Sequence, residues 1–164
     1  MKGCVFRSPK MSDLDEFYDC YESVVNERKY FKFIDAPSKT LLAKYLEKAV
    51  NRKSAFLVAE VDGKFVGWAE ISFRDSFATE YNGQLVIAIM SGYRGKGIGK
   101  ILLQMIIALG RQIQLKYLRS DVFSNNTRAI ECFKKFGFQV DGVRPEYVVI
   151  NGSALDITYL SRKL

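Results

Sequence analysis

The sequence predicts a single mixed α/β domain over residues 1–164. This length suits one ordinary domain and is too short for two. Apolar residues change repeatedly between helical spacing and strand-like runs, in the order β, α, α, β, β, β, α, β, α, β, β. The strand–helix–strand unit in the middle of this order is typical of a mixed sheet with packed helices. The chain contains no internal repeat, low-complexity segment or interdomain linker.

The first elements are a short strand and two amphipathic helices. The strand is predicted over residues 3–7. A helix is predicted over residues 13–27, because Ser12 can cap it, acidic residues fill its first turn and apolar residues then recur at helical spacing. A second helix with an apolar stripe begins near residues 37–38. Between the helices, residues 28–35 form an aromatic and basic link.

The pattern then changes to strands. Residues 55–61 and 64–73 are rich in β-branched and aromatic residues, and residues 62–63, Asp-Gly, are the preferred dipeptide of a two-residue hairpin. A polar link over residues 74–81 follows. Residues 84–90 are apolar without alternation, which predicts a central strand covered on both faces.

The remaining elements complete the sheet and cover it. Gly137 is a helix stop signal, and an Asn-Gly dipeptide is a hairpin signal. In chain order these elements are a helix over 98–113, a strand over 117–123, a short helix capped by Asn125 or Asn126 that ends at Gly137, and a hairpin of strands over 143–150 and 154–160 joined at Asn151-Gly152.

Composition excludes several kinds of chemistry. The chain has no histidine, so Ser-His-Asp, Cys-His and histidine-based metal sites cannot be built from it, and we expect no metal. Its three cysteines, Cys4, Cys20 and Cys132, are widely spaced and odd in number, which indicates a reducing compartment rather than a disulfide framework. No apolar run reaches the ~18 residues of a membrane span, and the N-terminus does not resemble a signal peptide. We therefore expect a cytoplasmic protein without a membrane partner.

Positive charge is concentrated in one segment. The net charge is +7, and residues 91–120 carry six basic and no acidic side chains. Such a patch attracts nucleic acid, an acidic membrane or a phosphorylated small molecule, and charge alone does not choose among them. A nucleic-acid site predicts aromatic residues interleaved with the cations, but residues 94–116 contain none. We expect no nucleic-acid partner.

A glycine-rich loop joins the strand over residues 84–90 to the helix over 98–113. Gly95, Gly97 and Gly99 let backbone N–H groups face an anion, and the helix N-terminus adds its positive end. The G-x-G-x-G spacing differs from the dinucleotide fingerprint, and neither Gly-Lys is followed by the Ser or Thr of a phosphate-binding P-loop. Phosphate binding is the natural use of this loop, while plain loop geometry remains the alternative.

Two motifs in register carry a family resemblance. Arg94-x-x-Gly97-x-Gly99, at a strand-to-helix junction, resembles the [Q/R]-x-x-G-x-[G/A] motif of the GNAT superfamily of acetyl-CoA-dependent N-acyltransferases. Further along, residues 126–138 resemble its N-x-x-A-x-x-x-Y-x-x-x-G-F segment. A weaker likeness, in residues 24–30 and in the closing hairpin, is to the subgroup that acts on amino acids and similar small amines.

This resemblance implies a GNAT-like fold and a place for acetyl-CoA. The sheet would be mixed and mostly antiparallel, with helices on both faces and with the middle strands, 84–90 and 117–123, splayed around the pantetheine arm. Backbone groups at the end of the first of these strands would pair with that arm, and the glycine loop would hold the pyrophosphate. The cofactor-binding residues implied in this way are Ile89, Met90, Ser91, Arg94, Gly95, Lys96, Gly97, Ile98, Gly99 and Asn126.

Acetyl transfer to an amine requires a base, because a free α-amine has a pKa near 8 and is mostly protonated at neutral pH. Without histidine, carboxylates are the candidates. Glu70 lies mid-strand among apolar neighbours that would raise its pKa, although a cross-strand partnership with a lysine is the plainer alternative. Glu27 and Tyr30 match the small-amine subgroup as substrate-binding residues, against the alternative that Glu27 is a solvated helix end.

The general acid is where this sequence departs from the superfamily. Phe133 occupies the position of the usual tyrosine, has no proton to give, and is predicted to pack on the apolar stripe of its helix. Tyr147, Tyr117, Ser124 or water must then protonate the leaving thiolate, and Tyr147 is our candidate. Cys132 lacks a base that would activate it, so we expect direct attack by the amine in a ternary complex.

The leading hypothesis is therefore an N-acetyltransferase whose partners are acetyl-CoA and a small primary amine such as an amino acid. A protein N-terminal or lysine acetyltransferase of the ribosomal-protein type is the first alternative. A catalytically silent acyl-CoA-binding protein is the second, which Phe133 keeps open. A homodimer is possible.

Overall fold

Seven strands in one sheet and four α-helices make up the part of the chain that the computed structural model describes, which is residues 3–51, 55–73 and 81–164. The predicted polar link over residues 74–81 lies outside the described residues except for Tyr81. The helices are α1 (Leu14–Asn26), α2 (Lys39–Asn51), α3 (Ile98–Gln112) and α4 (Thr127–Lys135). The strands are β1 (Cys4–Arg7), β2 (Phe56–Val61), β3 (Lys64–Phe73), β4 (Asn82–Ile89), β5 (Tyr117–Phe123), β6 (Gln139–Ile150) and β7 (Ser153–Lys163). Residues 27–38, between α1 and α2, are called the connector below.

Both predicted two-residue hairpins are confirmed. Asp62 and Gly63 have φ angles of 51° and 80°, and Asn151 and Gly152 have φ angles of 51° and 77°. Positive φ at both central residues is the geometry that matches the twist of the flanking strands, and Asp-Gly and Asn-Gly adopt it at low cost. Each turn therefore sets the register of its hairpin from local chemistry.

Three predictions about the ends of elements are wrong. Strand β7 extends to Lys163 rather than ending at residue 160. Strand β6 begins at Gln139 rather than residue 143, because register shifts between Val140 and Gly142 and between Arg144 and Val148 interrupt the alternation that the sequence would otherwise show. Ser12 does not cap α1. A 3₁₀ turn over Met11–Asp13 precedes this helix instead, and the buried Asp13 carboxylate accepts from the backbone N–H of Lys10 at 2.7 Å.

The strand order is β1-β2-β3-β4-β5-β7-β6, in which only the β4–β5 pair is parallel. The predicted mixed, mostly antiparallel sheet is therefore confirmed. Helices α1 and α2 pack on one face around Phe17, Leu46 and Trp68. Helix α3 packs on the other face, where Leu102 and the buried ring of Phe133 belong to the core, as predicted for Phe133.

The middle strands splay apart, as the resemblance implies. The β4–β5 pairing covers only three residue pairs and ends at Gln84 and Arg119. The next carbonyl, that of Leu85, accepts a hydrogen bond from the side-chain hydroxyl of Ser120 at 3.1 Å. This side-chain bond satisfies the strand edge where the backbone ladder stops, and beyond it the two strands enclose a cleft.

Because of the cleft, one prediction for β4 is wrong. Val86, Ile87 and Ile89 are only half-buried, whereas the unbroken apolar run predicted a strand covered on both faces. A run of apolar residues indicates that a strand is central in the sheet, but it does not indicate whether the neighbouring strand diverges from it.

Candidate active site

The splay opens a cleft of about 1750 Å³ between β4, β5, the connector, α4 and the β6–β7 hairpin. Most of the residues predicted from the sequence come together in it. The ones that line it are Tyr30, Glu70, Ile89, Arg94, Gly95, Gly97, Gly99, Asn126 and Tyr147. Five predicted residues of the described chain are not part of the lining, namely Glu27, Met90, Ser91, Lys96 and Ile98.

The loop between β4 and α3 has the backbone of an anion site. Gly95 and Gly97 have φ angles of 84° and 87°, which L side chains rarely adopt, and Gly97 immediately precedes α3. The first N–H groups of a helix commonly lack an intrahelical acceptor, and in α3 the Lys100 N–H already donates to the Gly97 carbonyl at 3.0 Å, so Ile98 and Gly99 are the residues whose N–H groups can serve a negative group. Gly99 serves packing, because a Cβ there would lie 3.2 Å from the Ile89 side chain.

Arg128 is a cation of this loop that the sequence analysis missed. A Cβ placed on Gly95 would lie 3.1 Å from the Arg128 guanidinium, so this side chain of α4 reaches across the cleft to the loop. Lys100 also lines the cleft. The charge count assigned the patch to residues 91–120, and nothing in the spacing showed that α4 would add a cation from the opposite wall.

Some backbone groups at the end of β4 already have hydrogen-bond partners and are not free to bind a ligand. The N–H of Met90 donates to the carbonyl of Val66 on β3 at 2.9 Å. Since neighbouring residues of a strand turn their backbone groups to opposite sides, Ile87 and Ile89 turn theirs toward the gap. The Ile89 carbonyl already accepts from Arg94 Nε at 2.6 Å. The predicted contacts of residues 89–91 with a pantetheine arm stay a prediction.

Arg94 and Glu27, predicted to serve the cofactor and the amine respectively, bind each other. Arg94 Nη1 donates to Glu27 Oε2 at 2.7 Å and Nη2 donates to Oε1 at 2.5 Å. The guanidinium also lies over the Tyr30 ring, with Cζ 4.4 Å from its centroid. Glu27 is therefore not a freely solvated helix end.

Glu70 projects from the middle of β3, on the face that α1 and α2 cover. The residues opposite it on the neighbouring strands are Phe56 and Val86 rather than lysines, and no ion pair involves Glu70 among the described residues. Burial raises the pKa of Glu70 to about 7. This environment, rather than a salt bridge, controls its proton.

Tyr45 is the partner that the sequence analysis did not find. Its hydroxyl, on α2, donates to Glu70 Oε2. This bond and the nearby Trp68 indole N–H oppose the rise in the pKa of Glu70, although the indole N–H itself reaches no acceptor at hydrogen-bonding geometry. Burial beside the carboxylate raises the pKa of Tyr45 well above its usual range. Helical spacing puts Tyr45 on the apolar stripe of the second helix, but it does not show which group the hydroxyl reaches.

A second cluster of polar side chains lies around Asp121 on β5. Lys32 of the connector pairs with Asp121 of β5 at 2.6 Å, and Gln84 Nε2 donates to the other oxygen of Asp121 at 3.3 Å. The half-exposed Tyr147 lies on β6, with Lys32 Nζ 5.5 Å and Arg144 Cζ 4.8 Å from its ring centroid. Lys32 of the connector therefore contacts both β5, through Asp121, and the β6–β7 hairpin, through Tyr147.

The other candidate proton donors and nucleophiles are less well placed. Tyr117 lies at the far end of β5, outside the lining of the cleft, and the Ser124 hydroxyl shares a 2.8 Å hydrogen bond with Thr158. Cys132 lines the cleft, and burial raises the pKa of its thiol. Residues 3–51, 55–73 and 81–164 bring no group of three potential metal ligands together and contain no helix long and apolar enough to cross a membrane.

Comparison with known proteins identifies the family. The model of the acetyltransferase (GNAT) family matches residues 14–138, which is most of the chain and includes the glycine loop and α4. The chain belongs to the GNAT acetyltransferase family. The matched residues also include both splayed strands, β4 and β5.

Relatives of this acetyltransferase act on different amines. The L-amino acid N-acetyltransferase AaaT of Escherichia coli is 28% identical over 65% of this chain and 66% of that protein. An N-alpha-acetyltransferase of Sulfurisphaera tokodaii is 26% identical over 81% of this chain and 78% of that protein. The crystal structure of a phosphinothricin acetyltransferase from Sinorhizobium meliloti in complex with AcCoA shares the fold at a TM-score of 0.92, with 21% identity, 99% of this chain and 89% of that chain covered.

Proposed function

We propose that this acetyltransferase transfers the acetyl group of acetyl-CoA to the primary amine of a small molecule such as an amino acid. The observation that carries the proposal is the pair of Glu70 and Tyr45 in the same cleft as the glycine loop. A carboxyl group whose pKa is raised to about 7 is half-ionised near neutral pH, which suits a base that must take a proton and release it again. The similarity to an amino acid N-acetyltransferase supports the choice of a small acceptor.

The residues of the cleft fit acetyl-CoA. The positive φ of Gly95 and Gly97, the N-terminus of α3 and the guanidinium of Arg128 suit a pyrophosphate. The edge of β4 at Ile87 and Ile89 has no β5 partner and suits the amide groups of a pantetheine arm. We infer that Asn126, which caps α4 by accepting from the Ala129 N–H at 3.2 Å and lines the cleft, flanks that arm. Acetyl-CoA would supply the acyl group as a thioester.

The reaction is a direct transfer. The amine nitrogen attacks the thioester carbonyl, so a C–N bond forms, the C–S bond breaks and the amine loses a proton. We propose that Glu70 receives this proton, directly or through water, while the Tyr45 hydroxyl holds its carboxylate in place. We propose no acyl-enzyme on Cys132. Burial raises the pKa of its thiol, and a protonated thiol is a poor nucleophile.

Protonation of the thiolate is assigned to Tyr147 or to water. Tyr147 faces the cleft from the hairpin, and two cationic side chains flank its ring. Phe133 cannot serve, because its ring has no acidic proton, and the ring packs edge-to-face on Phe138 with centroids 4.9 Å apart. A CoA thiolate leaves with little assistance, so the absence of the superfamily's tyrosine does not prevent turnover.

A turnover screen tests the proposal. Acetyl-CoA is offered with free amino acids, polyamines and peptides that carry free N-termini, and released thiol is measured. We expect one or more small amines to be the best acceptors. The result that would replace this proposal is a strong preference for peptides, and the similarity to an N-alpha-acetyltransferase makes that the second candidate. Binding of acetyl-CoA without thiol release for any acceptor would instead indicate a silent acyl-CoA-binding protein.

A further inference from the structure

Each of the three nitrogens of the Arg94 guanidinium donates a hydrogen bond to a group of this chain. The guanidinium makes a bidentate ion pair with Glu27, donates from Nε to the Ile89 carbonyl at 2.6 Å and stacks on Tyr30. About a quarter of each charged side chain of the pair is exposed, at 23% for Arg94 and 24% for Glu27. Bidentate arginine–carboxylate bonds are among the strongest hydrogen bonds in proteins, and a partly buried pair is weakly screened.

The two partners lie at the ends of two functional segments. Glu27 follows the last residue of α1 and begins the connector, which also contains Tyr30 and Lys32. Arg94 immediately precedes Gly95 in the glycine loop. Both segments line the cleft, and we assign the acceptor amine to the part beside the connector and the phosphates to the part beside the loop. Arg94 is therefore bonded to the connector through Glu27 and Tyr30, and to β4 through Ile89.

We infer that Glu27 and Arg94 are a positioning pair, which fastens the connector to the glycine loop, rather than one ligand of the amine and one ligand of the pyrophosphate. The two charges of the pair largely neutralise each other, so Arg94 attracts a phosphate less than a free guanidinium would, and Glu27 attracts an ammonium less than a free carboxylate would. The part that concerns acetyl-CoA rests on the proposed function. Through this pair, order in the loop and order in the connector are coupled, and the coupling is reciprocal.

Hydrogen exchange tests this inference without knowledge of the acceptor. Exchange over residues 28–36 and 91–99 is measured with and without CoA in the wild type, Glu27→Gln, Arg94→Gln and the double variant. Lys29→Gln is the matched control, because it removes an exposed charge from the same connector. Melting temperatures establish that each variant folds. Arg94→Lys is the second test of the same pair, since it keeps the charge but cannot make the bidentate contact.

In the wild type we expect CoA to slow exchange in both segments. In Glu27→Gln and Arg94→Gln, the connector should exchange about tenfold faster and lose its response to CoA, while CoA still protects the loop. The double variant should resemble either single variant, because both remove the same interaction. Lys29→Gln should behave as the wild type.

Other results would overturn the inference. Unchanged connector exchange in both variants without CoA would show that the pair positions nothing. Loss of loop protection in Arg94→Gln with a normal connector would make Arg94 a phosphate ligand. If CoA fails to protect the loop in the wild type, the proposed cofactor site is wrong, and the exchange without CoA still decides whether the pair holds the connector.

Kinetics give a second readout once the screen has supplied an acceptor. Both single variants should raise the KM of that amine by the same factor, and the double variant should raise it no further, while the KM of acetyl-CoA changes by less than about threefold. An increase in the amine KM confined to Glu27→Gln would make Glu27 a direct ligand and would contradict the positioning role.

Discussion

At the scale of single residues, the mechanism that we propose depends on what surrounds one carboxyl group. Glu70 has apolar neighbours on both adjacent strands and a hydroxyl donor on α2. Burial raises its pKa to about 7, and the Tyr45 hydroxyl limits that rise. Below this pH the carboxyl group holds its own proton and cannot accept one. The acid limb of the rate profile should therefore report Glu70.

Replacing Glu70 by Gln keeps the size of the side chain and removes its basicity. We expect kcat/KM at pH 7 to fall by roughly 10² to 10⁴. The loss should shrink as pH rises, because a growing share of the amine then arrives deprotonated. The measurement is thiol release from pH 6 to 10. Near-normal turnover at pH 7 would eliminate Glu70 as the base, and a defect that is constant with pH would make it a structural residue.

Replacing Tyr45 by Phe removes the hydroxyl that opposes the rise in the pKa of Glu70. The pKa should then increase further, so the acid limb of kcat/KM should move to higher pH, with a smaller effect on the high-pH plateau. Tyr18→Phe is the control, because this tyrosine bonds Glu22 on its own helix, away from the cleft. A uniform loss of rate without a shift of the limb would contradict this role of Tyr45.

At the scale of elements, the backbone of the loop between β4 and α3 is the phosphate site that we propose. Gly97 holds a φ of 87° at the start of α3, while Gly92 lies earlier in the same loop in open space and without positive φ. Substitution of Gly97 therefore strains the backbone and obstructs the proposed anion site. Substitution of Gly92 only adds a side chain to the same loop.

Gly97→Val should abolish the increase in melting temperature that saturating acetyl-CoA produces in the wild type. A β-branched residue disfavours this φ, and its side chain would stand where the backbone must approach a phosphate. Thermal unfolding with and without the ligand checks this outcome, with Gly92→Val as the control that should keep the increase. An unchanged affinity in Gly97→Val would remove the loop as the cofactor site.

At the scale of the whole molecule, the position of charge is more informative than its sum. The net charge is +7, and the tertiary structure adds Arg128 to the patch of residues 91–120. Distant cations contribute little to an anion site at physiological salt, because screening acts over about 8 Å. Lys64, exposed at the β2–β3 turn and outside the lining of the cleft, represents such a cation.

Arg128→Gln and Lys64→Gln remove the same charge from two places. We expect Arg128→Gln to weaken CoA binding by roughly tenfold and to flatten its salt dependence, because a charge-assisted contact with a phosphate is lost. Lys64→Gln should leave both properties unchanged. Titration calorimetry from 20 to 500 mM salt, over which the Debye length falls from about 21 to about 4 Å, measures them. Equal effects of the two substitutions would mean that CoA responds to net charge alone.

The amino-acid sequence by itself determined the elements, both hairpins and the glycine loop, because these depend on local periodicity and on residues such as Asn151 and Gly97 whose conformations are intrinsic. It also determined that Glu70 lies mid-strand without histidine to replace it. Only the tertiary structure decided the partners: Tyr45 on Glu70, Arg128 beside Gly95, and Glu27 on Arg94. Each of these contacts joins elements far apart in the chain, and the direction of a long side chain follows from packing rather than from spacing.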